Sequence, residues 1–143
     1  MTVIQRSALL PYPAEHLFAL VNDIEAYPSY MDGCVGAEIL RREENLVEAR
    51  LDLSRGGISQ SFSTRNRARD GESIELELLD GPFERFSGRW QFQALGAMAC
   101  KVSLDLEFVL NNGLLGAAAG KLFESVTANL VDALSVRAKQ VYG

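Results

Sequence analysis

The sequence predicts an α+β fold: a curved antiparallel sheet of about seven strands, two short helices after the first strand, and one long C-terminal helix. Three observations predict it. Apolar and polar residues alternate with period two through most of residues 34–108. Turn-forming residues interrupt that alternation at Glu43-Glu44-Asn45, Gly56-Gly57, Asp70-Gly71, Asp80-Gly81-Pro82 and Leu95-Gly96-Ala97. Beyond them the apolar spacing becomes helical, with Leu115, Ala119, Leu122, Val126, Leu130 and Ala133 recurring along one side.

Residues 2–10 alternate loosely and form the first strand, which Pro11 and Pro13 end; Pro13 suits the first turn of a helix. That helix, residues 14–21, gathers Leu17, Phe18 and Val21 on one side. Asn22 or Asp23 stops it and caps a second short helix, which Pro28 terminates. In the region that follows, Val47, Ala49, Leu51 and Leu53 alternate with Glu48, Arg50 and Asp52, which makes one face buried and the other wet. Further strands read at 58–68, 74–79, 86–94 and 100–108. Short connections between successive strands make an antiparallel meander.

Side-chain parity decides the hairpin around Asp70-Gly71. A two-residue loop would pair Arg67 with Ile74, joining a polar face to an apolar one. A three-residue loop pairs Arg67 with Glu75, Arg65 with Glu77, Ala68 with Ile74 and Asn66 with Leu76. A slip of one residue flips every side chain, so the longer loop with a glycine bulge is expected.

The last element begins at Gly113 and is a helix of about seven turns at roughly 3.6 residues per turn. Its start, GLLGAAAGK, is no phosphate-binding loop: Gly116 and Gly120 stand one residue too close, and Leu122 follows the lysine. Small residues at Gly116, Ala117, Ala118, Ala119 and Gly120 either allow tight packing on the sheet or leave a hollow beside it.

Composition excludes several classes. The 143 residues suit a single domain spanning 1–143, with 48% hydrophobic and 23% charged residues. A net charge of −5 argues against general attraction to DNA or anionic membrane. Cys34 and Cys100 lack CxxC spacing, and the first residues lack a secretory signal, so reduced thiols in the cytoplasm are expected. No apolar run approaches the length that spans a bilayer. The single histidine, His16, has no second ligand at metal spacing and no GxSxG elbow to serve. No metal, required cofactor or catalytic set is expected, and the chain reads as a non-enzyme.

The inward phase is apolar and aromatic. Phe62, Leu76, Phe86, Trp90, Phe92, Leu104 and Phe108 on the strands face Leu122, Val126 and Leu130 on the helix as candidate walls of a hollow. Gln60, Thr64 and Asn66 share that phase. Each buried polar group left unsatisfied costs about 1–3 kcal/mol, so they are either handles for a ligand headgroup or residues at a wet rim. On the outer face, Arg65, Arg67 and Arg69 form a basic row that is either solvated and matched by Glu75 and Glu77, or a strip for RNA. No aromatic residue interleaves with the row to stack bases.

YPAEHLFALVNDIEAYPSY, SFSTRNR, DGPFERFSGRWQF, LGAMACKVSLDLEF and VDALSVRAKQVYG, in this order, resemble the coenzyme Q-binding START-domain family, whose bacterial members include the RatA ribosome association toxins. Older labels call the group oligoketide cyclase/dehydrase-like. The resemblance covers nearly the whole chain. It implies a START/Bet v 1-like (SRPBCC) helix-grip fold with an internal tunnel. It also implies binding of ubiquinone or a related polyprenyl lipid in support of respiration, with transient contact at the inner membrane surface. The alternative it implies is a translation regulator that binds the large ribosomal subunit and blocks subunit joining; on that alternative the outer row of Arg65, Arg67 and Arg69 is the expected contact. One segment departs from the family pattern. After Tyr27 and Pro28 the family carries a Pro-Trp-Cys segment, where this chain has Tyr30-Met31-Asp32-Gly33-Cys34. Tyr27, Pro28, Tyr30 and Cys34 are the expected gate.

Overall fold

The computed structural model describes residues 1–111 and 116–143. Strand β1 (Thr2–Leu10) leads into α1 (Ala14–Asn22), and a 3-10 turn follows at Ile24–Ser29. Then come β2 (Cys34–Glu43), β3 (Leu46–Arg55), β4 (Ile58–Arg69), β5 (Ser73–Asp80), β6 (Phe83–Ala94) and β7 (Cys100–Leu110). The last elements are α2 (Gly116–Ala128) and α3 (Leu130–Tyr142). The expected Gly113 helix start and the Leu115 position lie outside the described residues.

All the strands join one antiparallel sheet in the order β1-β7-β6-β5-β4-β3-β2. From β2 to β7 this is the expected meander. β1 pairs with β7, from Thr2 opposite Phe108 to Leu10 opposite Cys100. The segment from α1 to the 3-10 turn therefore carries the chain from one sheet edge to the other. Parity predicted the β4–β5 register correctly: Arg67 faces Glu75, Arg65 faces Glu77, Ala68 faces Ile74 and Asn66 faces Leu76. Gly71, at φ +71°, supplies the left-handed residue of that turn.

The second short helix is a 3-10 turn that contains Pro28 instead of stopping at it. Within an α-helix Pro28 would cost a backbone bond. Here the turn closes through Tyr30 N and Met31 N, both donating to the Tyr27 carbonyl. Asp23 makes no side-chain cap.

The single long helix is also corrected: it breaks at Asn129, whose φ of −103° and ψ of 0° leave the helical range. The Asn129 Nδ2 donates to the Ser125 carbonyl at 3.0 Å and closes the end of α2. α2 then packs on β3 and β4, while α3 packs on α1 and β1. A straight rod cannot follow a curved sheet, and the break lets each half meet its own part of it. Gly120 settles the small-residue question at its own position. A Cβ there would lie 2.5 Å from Leu110 Cδ1, so glycine permits close approach of α2 to the end of β7.

Five phenylalanines form the centre beneath α2. Phe123 meets Phe108 at 4.7 Å, Phe83 at 4.9 Å, Phe62 at 5.3 Å and Phe86 at 5.9 Å between ring centroids, all edge to face. That geometry aligns the positive edge of one ring with the negative face of the next.

Candidate functional site

α2 crosses the inner face of the sheet without filling it, and a cavity of about 60 Å³ remains between them. Of the expected wall residues, Phe62, Leu76, Phe86, Trp90, Leu104 and Leu130 line it. Phe92, Phe108, Leu122 and Val126 do not; all four are buried in adjoining packing. Phe92 sits against Phe18 of α1 at 5.6 Å, and Phe108 against Phe83 and Phe123.

The error on the helix is one of phase. α2 presents Phe123 and Thr127 to the cavity, followed by Leu130 across the break, not Leu122 and Val126. Both stripes are buried, so apolar spacing alone could not choose between them. Sequence reasoning also missed Ile24, Met31, Ala49 and Leu51 as wall residues. The parity that placed Ala49 and Leu51 on the buried face of β3 was the signal available for those two.

Two of the three polar candidates reach the cavity. Thr64 Oγ1 donates to Asn66 Oδ1 at 2.7 Å, which occupies the oxygen of that amide and leaves its nitrogen side as a donor. Gln60 shares their phase but lies outside; half-buried, its Nε2 donates to the Ser61 carbonyl at 3.2 Å. It is a rim residue. Among the described lining residues the titratable group is the Tyr27 phenol, which donates to the Val21 carbonyl. Burial raises Tyr27 well above its ordinary pKa, so the phenol stays protonated across the physiological range. Among the described residues no three His, Cys, Asp or Glu side chains converge as a metal set.

The expected gate divides. Tyr27 lines the cavity, Pro28 is exposed, and Cys34 is buried with its thiol donating weakly to the Gly36 carbonyl at 3.5 Å. Burial pushes the thiols of Cys34 and Cys100 upward, away from the reactive thiolate. Tyr30 stacks under Arg137 of α3, with the guanidinium carbon 5.1 Å from the ring centre. Its hydroxyl and Arg137 Nε are both buried with no hydrogen-bond partner among the described residues.

The segment that departs from the family pattern has defined roles here. Met31 is a cavity wall, and the Asp32 carboxylate accepts from Arg55 at 2.7 Å. Arg55 also donates to Ser125 of α2, so one guanidinium ties the loop to the helix. Gly33 lies at φ +90°, and a Cβ there would fall 2.6 Å from Val126 Cγ2. Glycine is required for this loop to pass so close to α2.

The outer arginine row is largely neutralised. Arg65 pairs with Glu48 at 2.8 Å and with Glu77 at 3.7 Å, Arg67 with Glu77 at 3.6 Å, and Arg69 with Glu72 at 3.9 Å. His16 is exposed on α1 and stacks on Tyr142 at 4.4 Å, packing the end of α3 against α1.

The model of the polyketide cyclase / dehydrase and lipid transport family matches residues 10–135. The ribosome association toxin RatA of Pseudomonas aeruginosa is 49% identical over 142 residues, 99% of each chain. The chain belongs to this family, in its RatA group. RatA of Escherichia coli is 42% identical over 99% of this chain and 90% of its own. A mitochondrial coenzyme Q-binding protein COQ10 of Dictyostelium discoideum is 28% identical over 87 residues, 59% of this chain and 42% of its own. Among solved structures, the Zhui aromatase/cyclase of Streptomyces sp. R1128 has a TM-score of 0.87 at 16% identity, covering 99% and 96% of the two chains. An 18 kDa protein of Caulobacter crescentus reaches 0.75 at 30% identity, covering 100% and 99%. The family's description joins cyclases with lipid transport, and relatives of this chain at 42–49% identity are named as toxins. No described helix is long and apolar enough to cross a membrane.

Proposed function

We propose that this protein associates with the large ribosomal subunit and opposes subunit joining. The observation that carries this reading is the 49% identity, end to end, to a relative named for ribosome association. It moves ahead of the quinone-carrier expectation, which rests on a more distant relative matched over part of the chain. On the surface, Arg67 and Arg69 are the available part of the basic row, with side chains 57% and 78% exposed and carboxylates no nearer than 3.6 Å. Arg65 is held by Glu48, which is itself well covered.

Sedimentation with separated ribosomal subunits tests the proposal. Wild-type protein is expected to travel with the large subunit and to reduce joined ribosomes. Arg67→Glu/Arg69→Glu is expected to weaken binding at least about tenfold and to flatten its salt dependence, since each lost phosphate contact lowers the slope by about one. Failure of the wild-type protein to sediment with the large subunit would overturn the reading. Unchanged binding by the double variant would move the contact elsewhere on the surface.

A second reading is favoured by the cavity: binding of an uncharged apolar molecule whose head carries an acceptor oxygen for the Asn66 amide, such as a prenylated quinone. Apolar walls supply affinity at about 25 cal/mol per Å² buried, and the Asn66 amide supplies orientation. The cavity, at about 60 Å³, is smaller than the about 300–1,000 Å³ of sites for drug-sized ligands, so such a ligand must widen it. Trp90 is the single tryptophan and lines the wall, so a decyl-substituted benzoquinone is expected to quench its fluorescence saturably. Absence of saturable quenching would remove this reading and leave the ribosomal one intact.

A further inference from the structure

A cleft of about 230 Å³ lies on the surface beside the cavity, between the loop after the 3-10 turn and the junction of α2 with α3. Met31 and Leu130 belong to the walls of both hollows. We propose that cavity and cleft form one binding site for an uncharged single-chain apolar molecule, with the side chains of Met31 and Leu130 as the door between them. This inference rests on the hydrophobic-ligand reading and names its entrance and the shape of its ligand.

The two door residues belong to parts of the chain that can move apart. Met31 is buried at 4% exposure, yet its unbranched thioether changes rotamer at low cost and fills gaps of variable shape. Leu130 is the first residue of α3, directly after the break at Asn129. A small change in the Asn129 dihedrals swings Leu130 relative to Val126 without breaking helix bonds inside either half. Hinges are commonly such element-terminal positions.

The cleft also constrains the ligand. Val126, Ala133 and Val136 make its helical wall, and Val136 is 60% exposed, an apolar side chain held against solvent. Asp32 and Asp132 stand at its edge, and Arg55 pairs with Asp32 alone. Asp132 at this edge and Arg137, whose guanidinium lies over the Tyr30 ring of the same cleft, leave no single charge to draw in an ionic head, and the apolar helical wall suits an uncharged chain. A compact head fits the cavity beside Asn66, and the chain leaves between Met31 and Leu130 along the cleft.

Stopped-flow quenching of Trp90 by decyl-benzoquinone tests the door. Met31→Ala and Leu130→Ala are expected to raise both association and dissociation rates at least tenfold, with a much smaller change in their ratio. Asn129→Ala, an exposed change that restores a helix former at the break, is expected to slow both rates. It acts with opposite sign and serves even where a truncated door residue impairs folding. Leu122→Ala, buried on α2 but lining neither hollow, is expected to leave the rates unchanged. Wild-type rates in the Met31, Leu130 and Asn129 variants would overturn the proposal while the ligand reading stands. No quenching in any of them would overturn both.

Discussion

Replacing Phe123 with alanine is expected to lower the unfolding free energy by about 3–5 kcal/mol, the range for deleting a buried aromatic ring. The melting temperature should fall by roughly 10–20 °C for a domain of this size. The side chain is 4% exposed and sits edge-on to four other phenylalanines. It is also a wall of the cavity, so its removal joins a new void to an existing one. The surrounding rings come from β4, β6 and β7, which the sheet hydrogen bonds hold in place, and they have little freedom to close over the gap. A small aromatic solute such as benzene should enter the enlarged space and restore part of the loss, because binding to the native state alone raises stability. Thermal melts with and without benzene check both statements. A variant melting within a few degrees of wild type would show that the core collapses onto the vacancy.

The second large effect is expected at Gly33. Gly33→Ala forces an L-residue to φ +90° and sets its Cβ 2.6 Å from Val126 Cγ2. Strain at positive φ costs about 1–2 kcal/mol, and overpacking against a β-branched side chain adds about 1–3 kcal/mol. A loss of about 2–5 kcal/mol follows. The two contributions separate in a double-mutant cycle. Val126→Ala removes the clashing methyl but leaves the backbone strain, so the double variant should fall short of the summed losses by about 1 kcal/mol or more. Additivity would mean that the loop shifts away from α2 and that the close passage is not held by packing. The same variant should loosen the tie from Arg55 to Asp32 and Ser125, since all three depend on that passage.

Much of the sheet was legible because its rules are local. Alternation along β4 and β5, with Gly71 in the turn, left one register that kept Arg65 and Arg67 on the wet face opposite Glu77 and Glu75. The same parity placed Thr64, Asn66, Leu76, Trp90 and Leu104 on the cavity side. Parity could not decide Gln60 between handle and rim, because it reports which face a residue is on and not how far the covering helix extends over that face. Spacing failed on α2, where Leu122, Phe123, Val126 and Thr127 are all buried and a rotation of one residue exchanges the cavity wall. Met31 was passed over because its loop has no period to read, and its role comes from the packing of that loop against the α2–α3 junction.

The sequence by itself determined the α+β class, the meander from β2 to β7, the hairpin register and the apolar inner face. Each follows from contacts between residues near one another along the chain, where turn chemistry and alternation leave few options. Only the tertiary structure decided that β1 lies beside β7, that the last helix breaks at Asn129, and that Met31 and Leu130 stand between cavity and cleft. It also decided that Glu48 and Glu72 would join Glu77 against the arginine row. These features depend on how a curved sheet, a helix pair and a glycine-bearing loop share one volume. Side chains distant in sequence compete for that space, and a local pattern carries no record of which of them occupies it.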